Sequence, residues 1–128
     1  MADITPQVPD GRQLIHAYGD GGFRIAGEAY RGSVVVMRER TELWPVAGAG
    51  DVTFASLETV VAEARRLPID ILLIGSGARP APFPATLRAE LRAVGMVLEW
   101  MDTGAACRTF NILLAEERRI AAALIAVS

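Results

Sequence analysis

Ile69-Asp-Ile-Leu-Leu-Ile74, then Gly75-Ser-Gly77, a proline-punctuated loop, a helical stretch and Val97-Leu-Glu-Trp-Met101 form the segment that decides the fold. An apolar run this short, stopped by glycine, reads as a buried central strand rather than a helix. From about Pro84 to Val94, Leu87, Leu91 and Val94 recur at helical spacing, with Arg88, Glu90 and Arg92 on the other side. Gly95 follows where a left-handed C-terminal residue is wanted. Val97 to Met101 is the next strand. Strand, helix and strand make a βαβ unit, whose strands run parallel and are joined right-handedly.

Working outward, Met101 runs straight into Asp102-Thr-Gly-Ala-Ala-Cys-Arg-Thr-Phe-Asn111. The spacing predicts a helix from near Thr103, capped by Asp102 or Thr103, with Ala106, Phe110, Leu113 and Leu114 inward. Upstream, Leu57, Val60, Val61 and Ala64 mark one face of another helix, with Ser56 as N-cap and Pro68 as its end. The N-terminal third reads as β: Gln13 to Tyr18, the Gly19-Asp-Gly-Gly22 turn, a meander through Phe23 and Tyr30, and the β-branched run Ser33 to Met37. Residues 1–12 read as a loose tail, and Trp44 to Asp51 as a loop within a single domain spanning 1–128. Arg119 to Val127 is ambiguous: its alanines favour helix, while Glu116-Glu-Arg-Arg119 could be a surface turn into a closing strand.

Composition excludes more than it selects. At 128 residues and 52% hydrophobic, the chain can bury a sizeable core. A net charge of −2 gives no overall attraction to nucleic acid or acidic membranes. The few aromatic residues are not interleaved with arginine, so a stacking platform for single strands is missing. All 13 cationic side chains are arginine, which reads as coding bias before ligand selection. One cysteine precludes an internal disulfide, and the opening residues lack a secretory pattern. No run reaches membrane-spanning length, so a cytoplasmic protein is expected.

Two strand ends meet helix starts, and such corners can hold an anion or polar ligand. Gly75, Ser76 and Gly77 resemble a phosphate-cradling loop, but lysine is absent and Pro80 breaks dinucleotide spacing. A tight structural turn is the first reading there. Cys107, early in a helix beside Arg108, invites a nucleophile reading, yet the sole histidine, His16, is remote in sequence. A small core cysteine is the stronger alternative. Arg108 opposes the helix dipole and shares a side with Asn111, so it pairs either with Asp102 or Glu99 or with a ligand or partner. Glu116-Glu117 is a solvated cluster, no spacing matches a metal site, and no cofactor is implied. The candidate binding surface is therefore Gly75, Ser76, Gly77, Thr103, Cys107, Arg108 and Asn111, with no catalytic residue assigned.

Several blocks carry a family resemblance: Tyr18-Gly-Asp-Gly-Gly-Phe-Arg-Ile25, Tyr30-Arg-Gly-Ser33, Leu73-Ile-Gly-Ser-Gly77, Met101-Asp-Thr-Gly-Ala-Ala-Cys-Arg-Thr-Phe-Asn111 and Ala121-Ala-Ala-Leu-Ile125. Together they resemble the small-domain family of mitochondrial complex I assembly factor 3 and the adipogenesis-associated Mth-type domain protein. Many bacterial relatives there are known only as a domain of unknown function. The likeness runs from about Ile15 to Val127, and Phe110 stands where tyrosine is common. It implies a three-layer α/β Mth-type domain with a central mixed β-sheet, helices packed on it and an N-terminal β-meander. It also implies that Arg119 to Val127 is a strand, antiparallel to its neighbours. Non-catalytic action through protein partners, respiratory-complex subunits or assembly factors, is the functional expectation. The rivals are a small-molecule or anion binder, or an enzyme, at the Gly75–Gly77 and Thr103–Asn111 corner, and a homodimer joined through Trp44 or a sheet edge.

Overall fold

A computed structural model describes residues 6–128. Two sheets and three α-helices organise them. Strands β1 (Ile15–Gly19), β2 (Gly22–Ile25) and β3 (Glu28–Arg31) form an antiparallel meander. Its first turn uses Asp20 and Gly21 at positive φ, the backbone that the glycine-rich run supplies. The main sheet contains β4 (Val34–Val36), β5 (Thr41–Leu43), β6 (Ile71–Gly75), β7 (Val97–Met101) and β8 (Ile120–Leu124), in the order β5-β4-β8-β6-β7. β6 and β7 run parallel, as the βαβ reading requires. β5 is a strand that the sequence pattern does not predict, because it is short, carries Glu42 and lies at the sheet edge.

The closing segment is a strand, against alanine's preference for helix. Its buried run pairs with β4 on one side and β6 on the other, and tertiary contact outweighs a weak local propensity. One expectation is corrected here. β8 is antiparallel to β4 but parallel to β6, because it leaves a helix lying on the sheet and so enters in the same sense as β6.

Helices α1 (Glu58–Arg66) and α2 (Ala85–Ala93) cover one face of the main sheet. Helix α3 (Thr103–Ala115) and the meander cover the other. The alternation along β6 sets this division: Leu72 and Ile74 belong to the first core, Leu73 to the second. A mixed α/β sheet with both faces covered results, consistent with the three-layer expectation.

Local details amend three further readings. Ser56 does not cap α1, whose N-cap is Leu57 without a side-chain bond. Ser56 instead sits in a 3₁₀ lead-in, accepting from Thr53 N and donating to Thr53 O. Val94 is exposed, since α2 stops at Ala93 and the chain turns at Gly95, which does take the left-handed conformation. Trp44 lies in the core with Nε1 donating to Ser56 O, so it offers no surface to a second copy. Of the expected tail, residues 1–5 lie outside the described residues. Within residues 6–12, Val8 packs on the second core and Arg12 bonds Glu39 and Glu117.

Candidate functional site

The Gly75–Gly77 corner forms where β6 ends beside the start of α3. A Cβ on Gly75 would lie 2.9 Å from both Thr103 Cα and Thr103 Oγ1, so only glycine lets the two chain segments approach. Thr103 closes the corner. Its N–H donates to Gly77 O, while its hydroxyl accepts from Gly77 N at 3.0 Å and donates to Ile125 O at 2.7 Å. Ser76 N donates to Met101 O, and Ser76 Oγ donates to Arg79 O. Asp102 is the cap of α3, accepting from Ala105 N at 2.9 Å.

These bonds decide what the corner can do. The N–H groups of Ser76, Gly77, Thr103 and Ala105, which border the corner, already have protein acceptors. The geometry favours a structural clamp joining β6, β8 and α3 over a phosphate cradle.

Cys107 and Asn111 lie on the inward face of α3, fully buried or nearly so. The expectation that Asn111 shares a side with Arg108, away from the Phe110–Leu113 stripe, is corrected by this burial. Asn111 Oδ1 accepts from Ile15 N at 3.0 Å and its Nδ2 donates to Ile15 O at 2.8 Å, fastening the meander to α3. Asparagine suits the position because one amide offers both an acceptor and a donor to the same backbone residue. Burial pushes the Cys107 thiol up to about 12, with nearby Arg108 opposing and Asp102 adding to the rise. His16 lines a separate depression with Leu14 and Ala26, to which Cys107 does not contribute.

A thiol so placed should react slowly with Ellman's reagent in the native protein and at least about a hundredfold faster in denaturant. Fast native labelling would show that Cys107 is not shut in the core. The pH sign follows from the raised value. Unfolded chains ionise this thiol near the ordinary 9.0 and folded ones near 12, so its contribution to stability is complete below pH 9.0 and is lost as pH rises toward 12.

Arg108 is exposed and pairs with neither Asp102 nor Glu99. Its terminal nitrogen donates to Tyr18 Oη at 3.1 Å. Tyr18, at the end of β1, lies over Gly104, where an added Cβ would meet its hydroxyl at 2.7 Å. Ile112, one turn beyond Arg108, is 59% exposed. Tyr18, Gly104, Arg108 and Ile112 thus form one outward surface. Of these, the sequence pattern singles out Arg108 alone as a binding candidate. Gly104 was the available signal, since glycine in the first turn of a helix disfavours it unless something packs closely there.

A family described as a protein of unknown function (DUF498/DUF598) matches residues 15–125. The chain belongs to this family. An uncharacterized protein of Rhodobacter capsulatus is 40% identical over 95% of this chain and 93% of its own. NADH dehydrogenase [ubiquinone] 1 alpha subcomplex assembly factor 3 of Danio rerio is 35% identical over 88% of this chain, and its Homo sapiens counterpart 32% over 87%. The chain spans 63% and 59% of those two proteins. Among solved structures, a Bartonella henselae protein described as an outer membrane protein has a TM-score of 0.83 at 39% identity, covering 93% of this chain and 98% of that one. A Bordetella pertussis protein described as a Mth938-like domain has a TM-score of 0.79 at 28% identity, covering 97% and 92%. Among the described residues of this family member, no helix is long and apolar enough to cross a membrane, and no group of acidic, histidine or cysteine side chains could hold a metal ion.

Proposed function

We propose that this DUF498/DUF598 domain is a non-catalytic cytoplasmic accessory factor that acts through protein contacts in respiratory NADH–quinone oxidoreductase assembly. Its similarity to NADH dehydrogenase [ubiquinone] 1 alpha subcomplex assembly factor 3 supports the pathway. The observation that carries the contact surface is the outward patch of Tyr18, Arg108 and Ile112 on β1 and α3. Tyrosine and arginine are among the side chains enriched as anchors of protein interfaces, and an exposed isoleucine on the same helix face supplies apolar area. The burial of Cys107 and the occupied donors of the Gly75–Gly77 corner favour this reading over a nucleophile or an anion site there.

Affinity purification of the full tagged chain from its native cells tests the proposal. Respiratory-complex subunits or assembly factors should be recovered. Arg108→Ala combined with Ile112→Asp should reduce that recovery at least about tenfold, while the unfolding free energy stays within about 0.5 kcal/mol. Unchanged recovery with the doubly substituted chain would remove this surface from the reading. Self-association is the competing outcome, through the edges at Leu43 on β5 or Val97 on β7, both exposed. A native mass of twice the chain would identify it.

A further inference from the structure

At the opposite end of the sheet from the Gly75 corner, a cavity of about 350 Å³ opens where β6 and β8 begin. Five arginines line it, Arg12, Arg38, Arg40, Arg66 and Arg119, with Glu39 and Glu63; Glu42, Asp70 and Glu117 also pair with these arginines, so five carboxylates balance the five formal charges. They come from separated parts of the chain: the segment before β1, the β4–β5 connection, the end of α1 and the turn before β8. The floor is apolar, with Met37, Ile69 and Ile120 buried, and the exposed Leu67 lies at its margin.

The ion pairs around this cavity leave donors in excess. Glu117 is shared by Arg12 and Arg38, and Glu63 by Arg40 and Arg66, while Arg12 also meets Glu39 and Arg40 also meets Glu42; with five N–H donors on each guanidinium, the excess is one of donors and not of charge. Arg119 meets Asp70 through Nε at 2.9 Å, so its two terminal nitrogens have no protein acceptor among the described residues. Arg66 engages one terminal nitrogen. Among the described residues, Arg12 Nε and Arg38 Nε are buried without an acceptor, an unfavourable state for a charged donor. A guanidinium can donate but never accept, so a complementary ligand must bring oxygen acceptors. The size falls within the usual range for small-molecule sites, and the apolar floor beside Leu67 calls for a hydrocarbon part.

We propose that this cavity binds a small organic oxyanion, a carboxylate or phosphate monoester carried on an apolar chain. The head group meets the free guanidinium nitrogens of Arg66 and Arg119, and the chain lies against Ile69, Ile120 and Leu67. This site is separate from the Tyr18–Arg108–Ile112 surface, so either assignment can fail without the other.

Titration of the isotope-labelled full chain with octanoate and with octyl phosphate, followed by amide NMR, tests it. Inorganic phosphate and octanol serve as head-only and tail-only probes. At least one amphiphile should produce saturable shifts at the amides of Leu67, Ile69 and Ile120, with the single-part probes at least about tenfold weaker. Arg119→Gln and Leu67→Asp alter exposed side chains, and each should weaken binding by about tenfold, the effect of losing one charge-assisted hydrogen bond or the apolar contact. Preference for octanoate identifies a carboxylate head, and preference for octyl phosphate a phosphate ester. Absence of saturable shifts at these amides, equal binding of inorganic phosphate, or unchanged affinity in both variants would overturn the proposal.

Discussion

Asn111→Ala is expected to destabilise the fold by about 4 kcal/mol and to lower the melting temperature by roughly 15 °C. The substitution removes both partners of Ile15, leaving its N–H and C=O without the amide they now meet at 3.0 and 2.8 Å. Each buried, unsatisfied backbone group costs about 1–3 kcal/mol, and the truncated side chain leaves a small void on the buried face of α3. β1 should therefore loosen before the main sheet does. Urea unfolding measures the total, and hydrogen exchange should show the Ile15 amide losing protection ahead of Leu73. A loss below about 1 kcal/mol would mean that Asn111 is not the fastener between the meander and α3.

Gly75→Ala should cost about 3 kcal/mol, at the upper end for an overpacked core position. The new methyl would meet Thr103 Cα and Oγ1 at 2.9 Å and Leu124 Cδ2 at 3.1 Å. The backbone atom cannot swing aside as a side-chain tip can, so α3 or the end of β6 must shift. That shift would disturb the hydroxyl bridge from Gly77 N through Thr103 to Ile125 O. Gly48→Ala is the matched control, because a Cβ there meets nothing within 4 Å. It should change stability by less than about 0.5 kcal/mol. Equal effects at the two glycines, measured by urea midpoints, would show that close approach at Gly75 does not matter.

The candidate corner was legible as a place but not as a function. Glycine after a buried strand and threonine at a helix start do meet, as their positions along the chain suggested. What the residue types could not show was that Thr103 already supplies the acceptor for Gly77 N. Unoccupied and occupied donors share the same sequence, and tertiary pairing alone separates them. Asn111 misled for a related reason. A polar residue on a helix is first read as outward, yet this amide faces a strand nearly a hundred positions away in the chain, in a separation of 96. The arginine-lined cavity left no local trace either, because its side chains come from segments scattered between Arg12 and Arg119.

Local pattern by itself determined the βαβ unit, the meander and the three helices, since burial periodicity and glycine or proline boundaries act over a few residues. It also established the inward set Leu87, Leu91, Ala106, Phe110 and Leu114, all buried as spaced. The tertiary structure decided what depends on distant partners. It made β8 a strand, parallel to β6 and antiparallel to β4; it turned Asn111 inward; and it placed Tyr18 against Arg108. Helix and strand propensities differ by about 1 kcal/mol or less per residue, so pairing on both sides of Ile120–Leu124 overrides them.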